Sequence, residues 1–199
     1  MTRKIKRLAG LAAVVVLGLA LAACQGEPVE MPTPSVEAAS PSPSPSPSAD
    51  RAEEAIAERA AAAEKSYREY LKISAKYAQK GESPFWELND NHYIAGDVAE
   101  AQQQSWESFE LLEQKWVGAP SIESIEFAHF EGNPLREEIT GQRVHFRVCL
   151  DNSKRDIVNP DGSSAILGGA ERVLLNIALQ GQPGGQWSFV KSEVSNEGC

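Results

Sequence analysis

Apolar and small residues in the segment 50–80 recur at spacings of three and four, which is typical of an amphipathic helix. The residues on this face are Ile56, Ala60, Ala63, Tyr67, Tyr70, Leu71, Ser74 and Tyr77. Asp50 and Glu53 form a D-x-x-E sequence, which predicts a capping box at the start of the helix. Lys80 and Gly81 predict its end. A coiled coil is the alternative, but Ala and Ser at its contact positions disfavour it.

A second helix is predicted to begin at Asp97, after a loop over residues 82–96, and to end at residues 118–120. Asp97 and Glu100 again form D-x-x-E, and the Gly-Ala-Pro sequence at 118–120 is a strong helix stop. The face predicted to be buried consists of Val98, Ser105, Phe109, Leu112 and Trp116.

After residue 120 the apolar positions alternate, which predicts β-strands. Four strands are predicted, over residues 122–130, 142–151, 170–180 and 186–195. The third places Val173, Leu175, Ile177 and Leu179 on one face, and the fourth surrounds Trp187, Phe189 and Val190. Turn sequences stand between them at 132–134, 159–162 and 183–185.

The alternation is clearest in the second strand, which has Val144, Phe146, Val148 and Leu150 on one face and His145, Arg147, Cys149 and Asp151 on the other. The first strand is predicted to carry Ile125, Phe127 and His129 on one face. Helices followed by strands predict an α+β domain, in which the N-terminal helices pack on one face of an antiparallel sheet of about four strands.

The 199-residue chain carries 28 acidic and 19 basic residues, a net charge of −9. An acidic surface repels phosphate backbones, so no nucleic acid is expected as a partner. It also opposes adhesion to anionic lipids by charge alone.

The N-terminus combines basic residues with a short apolar run over residues 8–23 that ends in Leu-Ala-Ala-Cys at 21–24. The basic residues are Arg3, Lys4, Lys6 and Arg7. This segment resembles the signal peptide and lipobox of a bacterial lipoprotein. The resemblance implies that residues 1–23 are removed and that the Cys24 thiol carries a lipid, which anchors the chain at the extracytoplasmic face of the cell membrane. A transmembrane anchor is the alternative, but a bilayer-spanning helix needs roughly 20 apolar residues.

The mature chain, residues 24–199, keeps 15 basic and 28 acidic residues, so its net charge is −13. Residues 24–49 include Met-Pro-Thr-Pro at 31–34 and a Ser-Pro repeat at 40–48. Proline fixes φ and lacks an N–H donor, so this segment is predicted to be a disordered, polyproline-like spacer, at roughly 3.1 Å per residue. An O-glycosylated spacer is the alternative. Residues 50–199 are predicted to form the folded domain.

With Cys24 lipidated, Cys149 and Cys199 remain. An even number of cysteines in an oxidising compartment predicts a disulfide, and two free thiols are the alternative. The bond would close a loop of about 51 residues and stabilise the domain by roughly 4 kcal/mol.

The order of elements over roughly residues 50–199 resembles actinobacterial lipoproteins that belong to the cone-shaped superfamily of nuclear transport factor two and ketosteroid isomerase. The resemblance rests on Tyr-Ile-Ala-Gly-Asp at 93–97, Val-Cys-Leu-Asp at 148–151, Gly-Gln-Trp at 185–187 and the terminal Cys199. It implies a curved sheet wrapped on the helices, with a cleft between them. Members are variously enzymes, dimerisation modules and proteins of unknown role, so the fold alone selects no function.

Several ionisable residues are candidates for catalytic or metal-binding groups. Asp97 is interpreted as a helix cap and Asp151 as a strand-end or turn-forming carboxylate. His129 and His145 can pair across adjacent strands, but without a neighbouring carboxylate or cysteine they make a poor metal site. His92 has no partner in view.

The aromatic residues give no catalytic set. Ketosteroid-isomerase chemistry needs a base carboxylate with a Tyr or protonated Asp donor, and no base pairs with Tyr67, Tyr70, Tyr77 or Tyr93. We interpret the four tryptophans as packing residues of the core or of a lid, namely Trp86, Trp106, Trp116 and Trp187. The Asn-Asp-Asn sequence at 89–91 lacks calcium-loop spacing, and no hydrolase, zinc-protease or phosphate-loop motif occurs. No cofactor or metal is predicted.

These patterns favour a non-catalytic binding or interaction module at the cell envelope, with an envelope protein or a small ligand as its partner. The alternatives are an enzyme that uses the cleft for proton transfer or hydrolysis on a small apolar substrate, and a structural envelope protein. A deep apolar pocket that holds a buried carboxylate near a Tyr or His would favour the enzyme.

Overall fold

The computed structural model describes residues 47–166 and 170–199, which contain three helices followed by six strands. The helices are α1 (Pro47–Ala78), α2 (Phe85–Asp90) and α3 (Gly96–Leu111). The strands are β1 (Lys115–Val117), β2 (Ser121–Glu131), β3 (Arg143–Asp151), β4 (Asp156–Val158), β5 (Arg172–Gly181) and β6 (Trp187–Val194). The predicted signal peptide, Cys24 and most of the predicted spacer lie outside the described residues. Within the described ranges, no helix is long and apolar enough to span a membrane.

The main sheet is antiparallel and has the strand order β2-β3-β5-β6. Strands β1 and β4 form a separate two-stranded sheet, in which Trp116 pairs with Ile157. The α+β class and the four predicted strands are confirmed. The short β1–β4 pair was not predicted, because three-residue strands give no periodicity to detect.

Helix α1 presents the predicted apolar face to the sheet, except that Tyr77 is only half-buried and Ala78 is buried in its place. Ala63, Tyr67, Tyr70, Ser74 and Ala78 are buried along it, and the first three belong to the same core cluster as Val144, Phe146, Val148 and Leu150 of β3. The helix begins at Pro47, three residues before the predicted start, which places Asp50 inside the first turn rather than at a cap. Proline is tolerated there because first-turn N–H groups have no intrahelical acceptor.

The predicted stop at Lys80-Gly81 is confirmed. Gly81 has a φ of 78°, its N–H donates to the Ala78 carbonyl (3.1 Å), and the Glu82 N–H donates to the Tyr77 carbonyl (3.1 Å). This is the Schellman arrangement, which satisfies carbonyls left open at a helix end.

The prediction for α3 was wrong at both ends. Ala95 occupies the N-cap position and makes no side-chain cap, so Asp97 lies in the first turn instead of capping. The helix ends at Leu111, well before residues 118–120, because Glu113 adopts a φ of 50° and closes a second Schellman arrangement through Gln114 N–H and the Phe109 carbonyl (3.1 Å). As a result Leu112 is exposed.

The predicted loop over residues 82–96 contains the short helix α2, which the sequence analysis missed. Its end is closed in the same way by His92, whose φ is 58°, with the Tyr93 N–H donating to the Leu88 carbonyl (2.8 Å). Both missed helix ends place a non-glycine residue where a glycine is the usual signal.

The segment after α2 pairs with the edge strand β6. Ile94 and Phe189 form a parallel bridge, with the Ala95 N–H donating to the Phe189 carbonyl (3.1 Å) and the Phe189 N–H to the Tyr93 carbonyl (2.9 Å). The buried Ser188 hydroxyl donates to the His92 carbonyl (2.6 Å). These bonds fix the start of α3 against the sheet.

The predicted disulfide is confirmed: Cys149 on β3 is bonded to Cys199, with a Cα–Cα distance of 5.8 Å. Glu197 also forms an ion pair with Arg147 on β3 (2.5 Å). The C-terminal segment leaves β6 and therefore returns past β5 to the second strand of the sheet.

Candidate functional site

A cleft of about 990 Å³ lies between α1, α3 and the strands. Its wall on the α1 side is formed by Tyr67, Tyr70 and Ser74, and its wall on the α3 side by Val98, Gln102 and Trp106. The lining also includes Phe189 of β6, Trp116 of β1 and Arg155 of the β3–β4 turn. The volume lies in the range of small-molecule sites, roughly 300–1,000 Å³.

Three aromatic rings pack at the base of this cleft. Tyr67 and Tyr70 are stacked, with ring centroids 5.8 Å apart, and both contact Phe189, at 5.3 and 5.1 Å. All three are buried. They come from one helix face and the facing strand, so the sequence pattern that builds the core also supplies the apolar surface of the cleft.

Gln102 is the main polar group of the α3 wall. Its Nε2 donates to the Tyr70 hydroxyl oxygen (2.9 Å), and its Oε1 accepts from Trp106 Nε1 (2.6 Å). Burial raises the pKa of Tyr70 to about 12, against smaller opposing effects of hydrogen bonds with Ser74 and Gln102. Burial also raises the pKa of Tyr67. Phenols are neutral at physiological pH, and burial moves the ionisation of these two still further from that range.

Arg155 supplies a cation to the opposite wall. Its guanidinium carbon lies 5.0 Å from the Trp116 ring centroid, and the Trp116 ring lies 5.9 Å from that of Trp106. Arg155 Nε is buried and has no hydrogen-bond partner within the described residues. Desolvation lowers the pKa of this guanidinium, but arginine stays charged at any physiological pH. An unpartnered, partly desolvated guanidinium is a receptor for an anion.

The turn before β4 positions Arg155. Asp151 Oδ1 accepts from the Ser153 N–H (2.8 Å), and the Arg155 N–H donates to the Asn152 carbonyl (2.8 Å). The hydroxyl and N–H of Ser153 lower the pKa of the Asp151 carboxyl. The interpretation of Asp151 as a turn-forming residue is therefore confirmed. Arg155 was not predicted as a site residue, although the turn sequence at 151–153 was the available signal.

The acidic residues that line the cleft lie at its rim. Asp97 and Glu193 are both exposed, and Glu193 forms an ion pair with Lys191 (3.0 Å). Among the described residues, the cleft therefore holds no buried carboxylate near a tyrosine. Raised carboxyl pKa values, which proton-transfer catalysis would use, come from apolar burial.

The remaining predicted aromatic residues divide between core and surface. Trp187 and Trp106 are buried, whereas Trp86 is exposed and contacts Phe85 edge to face. Tyr77 lies below Lys76 and Lys80 outside the cleft. His92 ends α2 through its backbone.

A second cluster lies on the other face of the sheet. His129 and His145 are direct cross-strand partners, as predicted, with rings stacked at 3.9 Å and 12°. However, a β-bulge at Ala128 puts His129 on the face opposite Phe127, not on the same face as predicted, because the extra residue interrupts the alternation.

The expectation that this pair lacks a carboxylate was wrong. Glu131, two residues beyond His129 on the same face, places Oε1 3.4 Å from His129 Nε2 and 3.1 Å from His145 Nε2. Burial lowers the pKa of His145, as does the neighbouring His129, while the charge of Glu131 acts in the opposite direction. His145 is therefore biased toward the neutral imidazole.

No family model matches the chain, and neither does any curated protein. Among solved structures, the chain is similar to the crystal structure of the intermembrane space region of the chloroplast protein ARC6. The two are 9% identical, and the match covers 64% of this chain and 94% of that chain with a TM-score of 0.38. Similarity this distant carries no argument about fold family or function.

Proposed function

We propose that this protein is a membrane-anchored, extracytoplasmic lipoprotein whose domain is a non-catalytic binding module. Its ligand is a small molecule with an apolar or aromatic body and one anionic group. The observation that carries this proposal is Arg155, whose guanidinium lies over Trp116 in the cleft and whose buried Nε has no hydrogen-bond partner among the described residues.

The cleft supports each part of this ligand description. The half-buried residues Leu71, Trp116 and Ile157 in the lining offer an apolar surface, against which an aromatic or alkyl body loses water. Arg155 offers donors in a planar fork that suits a carboxylate, sulfonate or phosphate. Gln102 and the Tyr70 hydroxyl, which are hydrogen-bonded to each other in the cleft lining, orient a polar atom of the ligand.

The exposed positions of the acidic side chains in the cleft lining favour binding over catalysis. Asp97 and Glu193 are solvated at the rim, and Tyr67 and Tyr70 are held neutral by burial. A cleft enzyme of the ketosteroid-isomerase type would instead need a carboxylate close to the apolar base of the site. The resemblance to the cone-shaped superfamily supports a ligand cleft between helices and sheet, and it is equally compatible with a binding role.

The proposed location rests on the sequence. The lipobox ending in Cys24 supplies the anchor, and the Ser-Pro-rich spacer holds the domain away from the bilayer. The disulfide between Cys149 and Cys199 suits an oxidising compartment.

Anilinonaphthalene sulfonate, a fluorescent aromatic anion, tests the ligand class. We expect saturable binding to the full chain in detergent below its critical micelle concentration, with quenching of tryptophan fluorescence from Trp106 and Trp116. Arg155→Met should weaken binding about tenfold or more, since hydrogen bonds to charged groups contribute roughly 1.5–3 kcal/mol. Arg68→Met is the matched control, because Arg68 pairs with Glu64 on α1 outside the cleft lining.

Equal affinity of the Arg155→Met variant and the wild-type chain would contradict the anion-binding role. A neutral aromatic probe, anilinonaphthalene, separates the two contributions. It should bind both chains equally if the aromatic base of the cleft acts independently of Arg155. Preference for the neutral probe in the wild-type chain would also reject the proposal.

A further inference from the structure

We propose that His129, His145 and Glu131 bind a divalent transition-metal ion, Zn²⁺ foremost, on the sheet face opposite the helices. The three side chains extend from two neighbouring strands, β2 and β3. Their ligand atoms all lie within 4.8 Å of one another. No part of this site overlaps the cleft, so the inference stands independently of the proposed ligand.

The sheet register is what brings the three groups together. His129 is the direct partner of His145, and Glu131 follows His129 at the strand period of two, on the same face. The bulge at Ala128 is required, because without it His129 would face the core side with Phe127. Two paired strands hold these backbones more rigidly than a loop would.

The distances suit a tetrahedral ion. Two ligands that each lie about 2.1 Å from a tetrahedral Zn²⁺ stand about 3.4 Å apart. Glu131 Oε1 is 3.4 Å from His129 Nε2 and 3.1 Å from His145 Nε2. The nearly parallel rings must diverge for both lone pairs to meet one ion. The His129 side chain is 57% exposed and has room to turn, whereas that of His145 is 20% exposed and supplies the fixed ligand.

One atom in the cluster lacks a hydrogen bond. His145 Nε2 is buried and makes none within the described residues, although Glu131 Oε1 lies 3.1 Å away. A buried nitrogen without a partner is costly, and metal coordination removes that cost. Nε2 of each imidazole lies within 3.4 Å of the same carboxylate oxygen, so the three ligand atoms are close enough to share one ion.

The ligand types select the metal. Two imidazoles and one carboxylate match the three-ligand sets of zinc sites, which leave a fourth position for water. Imidazole also favours Cu²⁺ and Ni²⁺, whereas Ca²⁺ and Mg²⁺ prefer all-oxygen ligands. The site is therefore expected to discriminate strongly against the alkaline-earth ions.

The positive charge of Arg143 opposes the binding of a metal ion. Arg143 is the cross-strand partner of Glu131, and its Nε donates to Gln180 Oε1 on β5 (3.0 Å). Its positive charge near the ligands lowers the affinity for a cation. Arg143→Gln should therefore bind Zn²⁺ more tightly than the wild-type chain.

Isothermal titration with Zn²⁺ on the full chain in detergent, without a histidine tag and with free thiols alkylated, tests the site. We expect one ion per chain. His129→Ala should weaken binding at least about tenfold, and Glu131→Gln should do so as well. His92→Ala is the matched control, because the chain has three histidines and His92 lies far from the other two in sequence. It should bind like the wild-type chain.

His129 is exposed, so its replacement leaves the core intact, which circular dichroism checks. Imidazole NMR signals provide a second measurement: Zn²⁺ should shift those of His129 and His145 but not those of His92. The absence of saturable Zn²⁺ binding would overturn the proposal, as would unchanged affinity in His129→Ala. A Zn²⁺-induced shift confined to His92 would do the same.

Discussion

Arg155 lies over the Trp116 indole because a small sheet joins two distant parts of the chain. Trp116 pairs with Ile157, two residues after Arg155, so the β1–β4 register places the guanidinium on the ring. Neither strand exceeds three residues. The cationic wall of the cleft therefore depends on a few backbone hydrogen bonds and on the turns at either end of them.

A substitution at Gly118 tests most directly whether the position of Arg155 depends on the β1–β4 sheet and its turns. Gly118 follows β1, has a φ of 73°, and a Cβ there would collide with the Lys154 carbonyl, next to Arg155. Gly118→Ala should therefore lower the melting temperature and weaken anilinonaphthalene sulfonate binding. Gly141→Ala is the control, because Gly141 has a φ of 79° but open space around it. It should show only the backbone cost, roughly 1–2 kcal/mol. Equal effects of the two substitutions on probe binding would contradict the close approach at Gly118.

The disulfide should contribute substantially to stability. Cys199→Ser should lower the free energy of unfolding by roughly 2–5 kcal/mol, because the unfolded chain is no longer closed into a loop. Denaturant unfolding measures this cost, and non-reducing peptide mapping should recover the linked Cys149 and Cys199 peptides. Cys24→Ser is the control, and it should unfold like the wild-type domain. Two thiols that are alkylated without reductant would contradict the bond.

Tyr70 should make the domain sensitive to alkali. Its pKa is raised from 10.0 to about 12, so between these values the unfolded chain loses a proton that the folded chain retains. The folded state binds more protons there, and stability falls as the pH rises from about 10 to about 12, by up to about 3 kcal/mol. Tyr70→Phe should fall less steeply in denaturant unfolding at each pH. Parallel curves for the two chains would exclude this origin.

Cys24 should be the membrane anchor. Cys24→Ala is expected to appear in the soluble fraction or to accumulate as an uncleaved precursor, and to lose incorporation of labelled fatty acid. Cys199→Ala is the control, because it removes a cysteine but keeps the lipobox. A Cys24→Ala chain that is processed, lipid-labelled and bound to the membrane would reject the lipoprotein assignment.

Elements with repeated apolar spacing were predictable from the sequence. The face of α1 and the alternation of β3 are repeated over many residues, so each apolar residue supports the same assignment. The ends of α2 and α3 were not predictable, because His92 and Glu113 adopt positive φ in place of glycine. Tertiary packing stabilises these positive-φ conformations, and the local sequence gives no sign of that packing.

The cleft and the histidine cluster were also only partly predictable from the sequence. His129 and His145 were predicted to pair, but their contact with Glu131 depends on a bulge that adds one residue to β2. No local signal marks Ala128 as the extra residue. Arg155 was missed because its importance depends on a ring 39 residues earlier in the chain and on a Nε that has no hydrogen-bond partner in the described part of the chain. Both are properties of the folded chain.

The bridge between Ile94 and Phe189 has a consequence for how copies of this domain meet. An edge strand offers unpaired N–H and C=O groups on which another chain can extend the sheet. Residues 93–95 already use the Phe189 groups at that edge, and the opposite edge, β2, carries two bulges and several glutamates. Proteins crowded on one surface collide repeatedly. Because few groups at these two edges are free to pair with another chain, such collisions are not expected to start an intermolecular sheet.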